Sequence, residues 1–425
     1  MLDVFLLVVY KYFCSRFNVR AYASLIRSLF LRILGFDITR SVAIFLAMSS
    51  HVYAEVGLGN YVPADIAIPY RFISQIAPLI FIILFGTMLE IVYYPRWTKE
   101  KQEEVASRLF LRAIQCWVLY AISIFVLFIV DDGYSFAFSI SCLIFMGNSP
   151  YTEILKFYSV ALALAPVVLW ARGRFGLIPL VVISVLFQSA WPIFNSMPDA
   201  YSDLGIHLQI ARFIKFITGF GSPMIAGPSL LHGITLIIAG QCLGKLVAWS
   251  LKEEHSERSL TGFSNLSTEK IQILLMAMIA LAVGIAVSLP SGWFLSMADM
   301  SFRIESNFIY FLLGAIFAFF ASLVFVWVVD IKLYNYKNQW IACSFFGRTS
   351  LFTFSWGNIL LYLNIYEPKN EVSSFIFYFV LIACVCFMSL LFDTVVRKSS
   401  IFKNGLLQLN LPLKRSAQRL ARYIY

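Results

Sequence analysis

Histidine is the side chain that takes up and returns a proton near neutral pH. Arginine carries a planar fork that matches phosphate and carboxylate oxygens. This chain places one of each, Arg40 and His51, in the apolar stretch FDITRSVAIFLAMSSHVYAE. Eleven residues is about three helical turns, so the two lie near one face, roughly 16 Å apart along the axis. Asp37 precedes Arg40 by three positions and Glu55 follows His51 by four, which extends the same stripe. Ala47, Ser49 and Ser50 are small and allow close approach from outside the helix. An anionic donor held at Arg40, with a proton acceptor at His51, would make a group-transfer site. The bland readings are an anchoring arginine, a hydrogen-bonded packing histidine and an interfacial glutamate.

A second histidine, His232, sits in GPSLLHGITLIIAGQCLG, about eight residues from the outer end of its apolar run. That is roughly 12 Å, so it could reach the depth of His51. Around it Gly227, Gly233, Gly240 and Gly244 permit close helix contact. Toward the outer ends of other runs stand Arg71, Tyr158, Gln188, Trp191 and Asn195, while Glu90 and Arg348 stand near inner ends. His51, Glu55 and His232 are therefore the catalytic candidates. Asp37, Arg40 and Arg348 are candidates for donor binding, and Arg71, Tyr158, Gln188 and Trp191 for acceptor binding. Tyrosine and tryptophan at such depths also serve simply as interfacial belts. His207 and His255 fall in loops and read as solvated.

The elements that carry these residues are membrane spans. The apolar fraction is 60% and the mean hydropathy +0.80, too high for a soluble chain to bury. Runs of about 20 apolar residues, the length of a span, occur at 40–59, 71–94, 110–130, 152–171, 175–195, 224–248, 271–290, 308–330, 341–363 and 373–395. An eleventh, Ser135 to Met146, is too short to cross and reads as re-entrant or interfacial. With the N-terminus inside and ten crossings, 27 of the 33 lysines and arginines face the cytoplasm and six face outward. This bias follows the positive-inside rule and puts both termini inside. The expectation is an all-α, polytopic helix bundle of about ten spans. Residues 1–39 would form an interfacial segment, 40–395 the transmembrane domain, and 396–425 a basic tail lying on the membrane surface. The start, MLDVFLLVVYKYF, lacks the basic region and cleavage site of a signal peptide.

The net charge of +10 is accounted for by basic loops facing anionic lipid, so no nucleic-acid partner is implied. The seven cysteines show no metal or disulfide spacing and read as small packing residues. No internal repeat or separate soluble domain is evident, so the chemistry is expected among the helices, with no metal.

The spacing Arg40-x10-His51 resembles the first-helix motif of the acyltransferase-3 membrane family, where a basic residue stands ten intervening positions before an essential histidine. RFISQIAPLIFIILFGTMLE (Arg71 to Glu90) is similar to that family's second helix, with Leu84-Phe85-Gly86 where many members have a serine before the glycine. NSPYTEILKFYSVALALAP (Asn148 to Pro166), HGITLIIAGQCLG and FFGRTSLFTFSW (Phe345 to Trp356) look like later helices of the branch containing membrane glucan succinyltransferases. The resemblance implies transfer of an acetyl or succinyl-type group from cytoplasmic acyl-CoA to a hydroxyl of an extracytoplasmic glycan or lipid-linked sugar. It implies a bacterial inner membrane, with His51 as the family histidine, acting as general base or carrying the acyl group itself, Arg40 as its basic partner and Asp37 preceding it. Many members carry an extracytoplasmic hydrolase-like domain after the bundle. None is expected here, which implies direct transfer within the membrane domain.

Two other classes compete. A transporter or flippase of a glycan or organic anion would use buried His and Glu as a relay, although the inverted repeats and broken helix pairs of such proteins are not evident. A non-catalytic assembly partner would use the polar stripe as helix glue.

Overall fold

The computed structural model describes residues 33–99, 101–221, 227–250, 266–364, 366, 368 and 370–424. Most of the expected N-terminal interfacial segment, and His255, lie outside the described residues.

The described chain is helical. In order it forms α1 (Leu34–Glu55), α2 (Ala64–Trp97), α3 (Gln102–Val130), a short α4 (Phe136–Leu143), α5 (Glu153–Phe175) and α6 (Leu177–Asn195). Then come α7 (Leu208–Thr218), α8 (Leu230–Trp249), α9 (Thr268–Ser288), and the short α10 (Trp293–Ala298) and α11 (Ser301–Ile304). The rest is α12 (Phe308–Lys332), α13 (Lys337–Cys343), α14 (Phe345–Arg348), α15 (Ser350–Tyr362), α16 (Glu371–Lys398) and α17 (Ser400–Ile424). Eight of these, α2, α3, α5, α6, α8, α9, α12 and α16, are long and apolar enough to cross a membrane.

Two of the ten expected spans therefore differ. The first is a continuous helix, but Asp37, Arg40, His51 and Glu55 make it too polar to qualify on composition. The run 341–363 is broken into α13, α14 and α15. At the break Gly347 lies against the backbone of Asp37, too close for a side chain, and its N–H donates to Ser41 Oγ at 2.8 Å. The chain gives up one straight helix to lie flush on α1. The eleventh run is α4, whose eight residues extend only about 12 Å.

The seam between α2 and α8 is the closest packing. A Cβ on Gly86 would overlap the carbonyl oxygen of Ile237, and one on Gly240 would overlap that of Ile83. Small residues let two backbones meet in this way where lipid supplies no hydrophobic drive between helices. Thr87 Oγ1 ties the seam by donating to Gly240 O at 3.0 Å. The α1 helix packs beside α2, and α12, α15 and α16 also contact it.

The tail is a helix that packs on the bundle. α17 runs antiparallel along the first half of α3, where Gln115 donates to Asn410 at 2.7 Å and Arg422 meets Glu103 at 3.0 Å. Ala417 and Ala421 are fully buried on that seam. The expected boundaries shift accordingly: α1 begins before residue 40, and α16 runs past 395.

Gly86→Val and Gly240→Val should each lower the thermal unfolding midpoint in detergent by several degrees, since neither backbone can retreat without parting the seam. Gly284→Ala, with nothing within 4 Å of the added carbon, should leave the midpoint unchanged or raise it.

Candidate functional site

The stripe on α1 faces into the bundle. Ile44 and Ala47 lie between Arg40 and His51 on that face and are 0% and 7% exposed, while Val42 and Phe45 on the opposite face are exposed to lipid. Arg40, His51 and Glu55 keep partial accessibility on this face, with the packed pair Ile44 and Ala47 between Arg40 and His51.

His51 is held at one ring nitrogen. Its Nδ1 is 3.0 Å from Asn358 Oδ1 on α15. The amide nitrogen of Asn358 donates to the Tyr151 carbonyl at 3.4 Å, which turns Oδ1 toward the histidine. An acceptor at that position requires the ring proton on Nδ1 and leaves the lone pair on Nε2. Tyr151 lies over the imidazole with ring centroids 4.7 Å apart, and its hydroxyl donates to Glu55 Oε2 at 2.9 Å. Glu55 thus reaches His51 through Tyr151, and the site gathers α1, α15 and the turn before α5.

That turn is fixed by a buried ion pair. Lys156 Nζ donates to Glu153 Oε2 at 2.9 Å and to Gly147 O at 2.7 Å, and Glu153 Oε1 accepts the Ser149 amide at 2.8 Å. The two side chains are 1% and 5% exposed. Between Ser149 and Glu153 the chain turns sharply, with Tyr151 at φ +62°, a left-handed value that is costly for an aromatic residue. Tyr362 holds the turn from α15 by donating to Pro150 O and stacking on Tyr151. Lys156 is an internal strut.

Tyr158 projects into the bundle near Phe85, with ring centroids 5.8 Å apart, and lies close enough to Arg40 for the charge to act on its hydroxyl. It stands seven residues after Tyr151, near the start of α5. Arg40 Nη1 is 3.8 Å from Asp37 Oδ1, a loose contact that leaves most of the guanidinium fork for other oxygens.

Arg303, on α11, donates to Gln75 Oε1 at 3.0 Å and lies within electrostatic reach of His51 and Tyr310.

Other candidates are brought elsewhere. The Arg348 fork is filled by Asp393, at 3.1 and 2.8 Å, with further bonds to Ser344 Oγ and Ile341 O, so it is a clamp between α14 and α16. His232 is buried with Nδ1 2.7 Å from Ser229 Oγ, stacked on Phe311 at 4.5 Å and edged by Phe187 and Phe220. This aromatic box is formed by other elements than the His51 cluster. Gln188 donates to Thr235 at 2.7 Å and Trp191 to Glu305 O at 3.1 Å, both as links between helices. Arg71 is exposed near Tyr53. Glu90 forms a two-pronged pair with Arg172 at 2.9 and 3.1 Å. Among the described residues no group of three or more metal-ligating side chains is found.

The sequence reading missed Asn358, Tyr151, Arg303 and the Glu153–Lys156 pair. A lysine and a glutamate one turn apart beside Pro-Tyr-Thr in an apolar stretch were a signal for the last of these. Nothing local marks Asn358 or Arg303.

No protein-family model matches this chain. No curated protein matches it either.

Lys156→Met alone strands a buried carboxylate and should cost about 3–5 kcal/mol. The double variant Lys156→Met with Glu153→Gln should recover much of that loss in thermal unfolding. Equal losses in the single and double variants would show that the pair is not coupled.

Proposed function

We propose that this chain is a membrane O-acyltransferase. It moves an acetyl or succinyl-type group from cytoplasmic acyl-CoA to a hydroxyl of an extracytoplasmic glycan or lipid-linked sugar, in a bacterial inner membrane. The observation that carries the reading is the His51 ring, fixed by Asn358 through Nδ1 so that Nε2 is the free base. The resemblance of Arg40-x10-His51 to the acyltransferase-3 motif supports the same reading.

In this reaction the acceptor oxygen attacks the thioester carbon while its proton passes to His51 Nε2. The new C–O bond forms, the C–S bond breaks, and the departing coenzyme A sulfur takes the proton back from the imidazolium. Arg40, beside Asp37, binds donor phosphate or the groups next to it. Tyr158 lies along the donor's path. Tyr151 keeps the ring in place, and its bond to Glu55 supports the imidazolium that forms. Arg303, within electrostatic reach of His51, offsets the negative charge on the thioester oxygen in the transition state. Arg348 leaves the donor-binding set because Asp393 occupies its fork.

Purified protein in lipid nanodiscs, given acetyl-CoA or succinyl-CoA with extracted cell-surface glycan, should release free thiol and acylated glycan. His51→Ala should slow this by about 100-fold or more, and Arg40→Met should raise KM for the donor more than it lowers kcat. Near-normal thiol release by His51→Ala would end the proposal. Glycan movement across the bilayer without thiol release would replace it with a transporter.

A further inference from the structure

At the end of α2 and α5 remote from His51, the chain leaves an open crevice lined by Trp97, Thr98, Gln102, Trp170, Gly173 and Arg174. It encloses about 680 Å³, part of it open to the surroundings. Trp97 is 4% exposed and forms the floor, while Trp170 is 51% exposed and forms an upright wall. A Cβ on Gly173 would meet nothing within 4 Å, so the space beside the wall is clear.

The rim is cationic. Arg96, Lys99, Lys101 and Arg174 are exposed around it. The two acids that open α3 are directed elsewhere: Glu103 meets Arg422 at 3.0 Å and Glu104 meets Arg108 at 2.5 Å. Glu100 lies outside the described residues. An exposed indole face, a nearby amide and hydroxyl, and a rim of fixed positive charge together suit a flat aromatic ring that carries phosphates. A lipid headgroup would use the charge but not the flat wall.

The crevice also lies at the foot of the interior line of polar groups. Arg172, two residues before Arg174, is locked to Glu90, and Glu90 precedes Trp97 by seven residues, about 10 Å. Further along, between α2 and α5, the side chains of Phe85 and Tyr158 meet with ring centroids 5.8 Å apart.

We infer that this crevice binds the nucleotide end of coenzyme A, with the adenine on Trp170 and the 3′-phosphate at Arg174. The inference rests on the acyl-transfer reading for the identity of the nucleotide, while the site itself stands on the crevice. The pantetheine arm then runs inward between α2 and α5, which brings the thioester toward Tyr158 and His51. Arg40 takes the polar groups of the arm, and the basic rim takes the nucleotide phosphates.

The probe is adenosine 3′,5′-bisphosphate, which carries this end of the molecule and no thiol. Full-length protein in phosphatidylcholine nanodiscs should show saturable quenching of tryptophan fluorescence on titration. Trp170→Leu and Arg174→Gln, both exposed positions, should each weaken binding at least tenfold, and Trp249→Leu, exposed elsewhere, should not. Unchanged affinity in both site variants would overturn the site, as would a response to added phosphatidylglycerol with none to the bisphosphate. Tight bisphosphate binding without any acyl transfer would sustain the site and defeat the acyltransferase reading. Normal thiol release from the double variant at low donor concentration would defeat the site and leave that reading standing.

Discussion

The carboxylate of Asp330 accepts the backbone amides of both Leu34 and Gly35, at 3.0 and 2.7 Å. These are the first free N–H groups of α1, where the helix dipole is positive and no intrahelical partner exists. A charged-group cap of this kind meets two orphan donors and one buried anion together. It also fixes depth. Gly35 lies directly on the backbone of Phe325 and Val326, too close for any side chain, so α1 has one seat on α12. Where α1 is seated decides the heights of Arg40 and His51, and hence every distance in the candidate site. The cap comes from a stretch of α12 that winds as a π-helix, Val326–Lys332, which turns Asp330 toward its partner. The other π segment, Leu89–Tyr93 in α2, likewise carries a buried acid, Glu90. Irregular turns here serve to aim carboxylates.

Around that anchor the molecule neutralises its buried charge in short-range pairs. Glu90 takes Arg172, Asp393 takes Arg348 and Arg397, and Glu153 takes Lys156. The Arg172, Arg348 and Lys156 pairs each tie two elements, or one element and its preceding turn, with little exposure, while Arg397 adds a half-exposed contact to Asp393 within α16. In a low-dielectric interior such pairs form because the alternative is an uncompensated ion. Arg40 stands apart from this pattern. Its contact with Asp37 is long, Ile44 and Ala47 are buried beside it, and it keeps partial exposure. In the proposed reaction that loosely paired guanidinium is the group that would meet the anionic donor.

The sequence was most legible where physics is one-dimensional. Apolar run length located nearly every long helix, and the 3.6-residue period placed Asp37, Arg40, His51 and Glu55 on one inward face. Glycine spacing in α8 marked the close seam with α2. The failures share a cause. Whether 341–363 stays one helix depends on α1 lying against Gly347. Asn358 is a partner of His51 only because α15 and α1 meet 307 residues apart in the chain. Arg348 and His232 looked available because their partners, Asp393 and the three phenylalanines, are distant in sequence. A polar residue in an apolar run announces that it has a role, but its partner belongs to the fold.

The pairing of α17 with α3 has a consequence for biosynthesis. Arg422 and Glu103 are separated by 319 positions. At ribosomal rates of about 5–20 residues per second, roughly 16 to 64 s pass between making one and the other. During that interval the face of α3 that later meets Ala417 and Ala421 has no native cover. α1 waits for Asp330 over a nearly equal stretch. The first described helix and α3 are thus completed only by late-made segments, so insertion and final packing are separate events. A nascent chain halted anywhere between them would display two unfinished surfaces, and the membrane's quality-control proteases would have a physical basis for telling a partial product from a whole one.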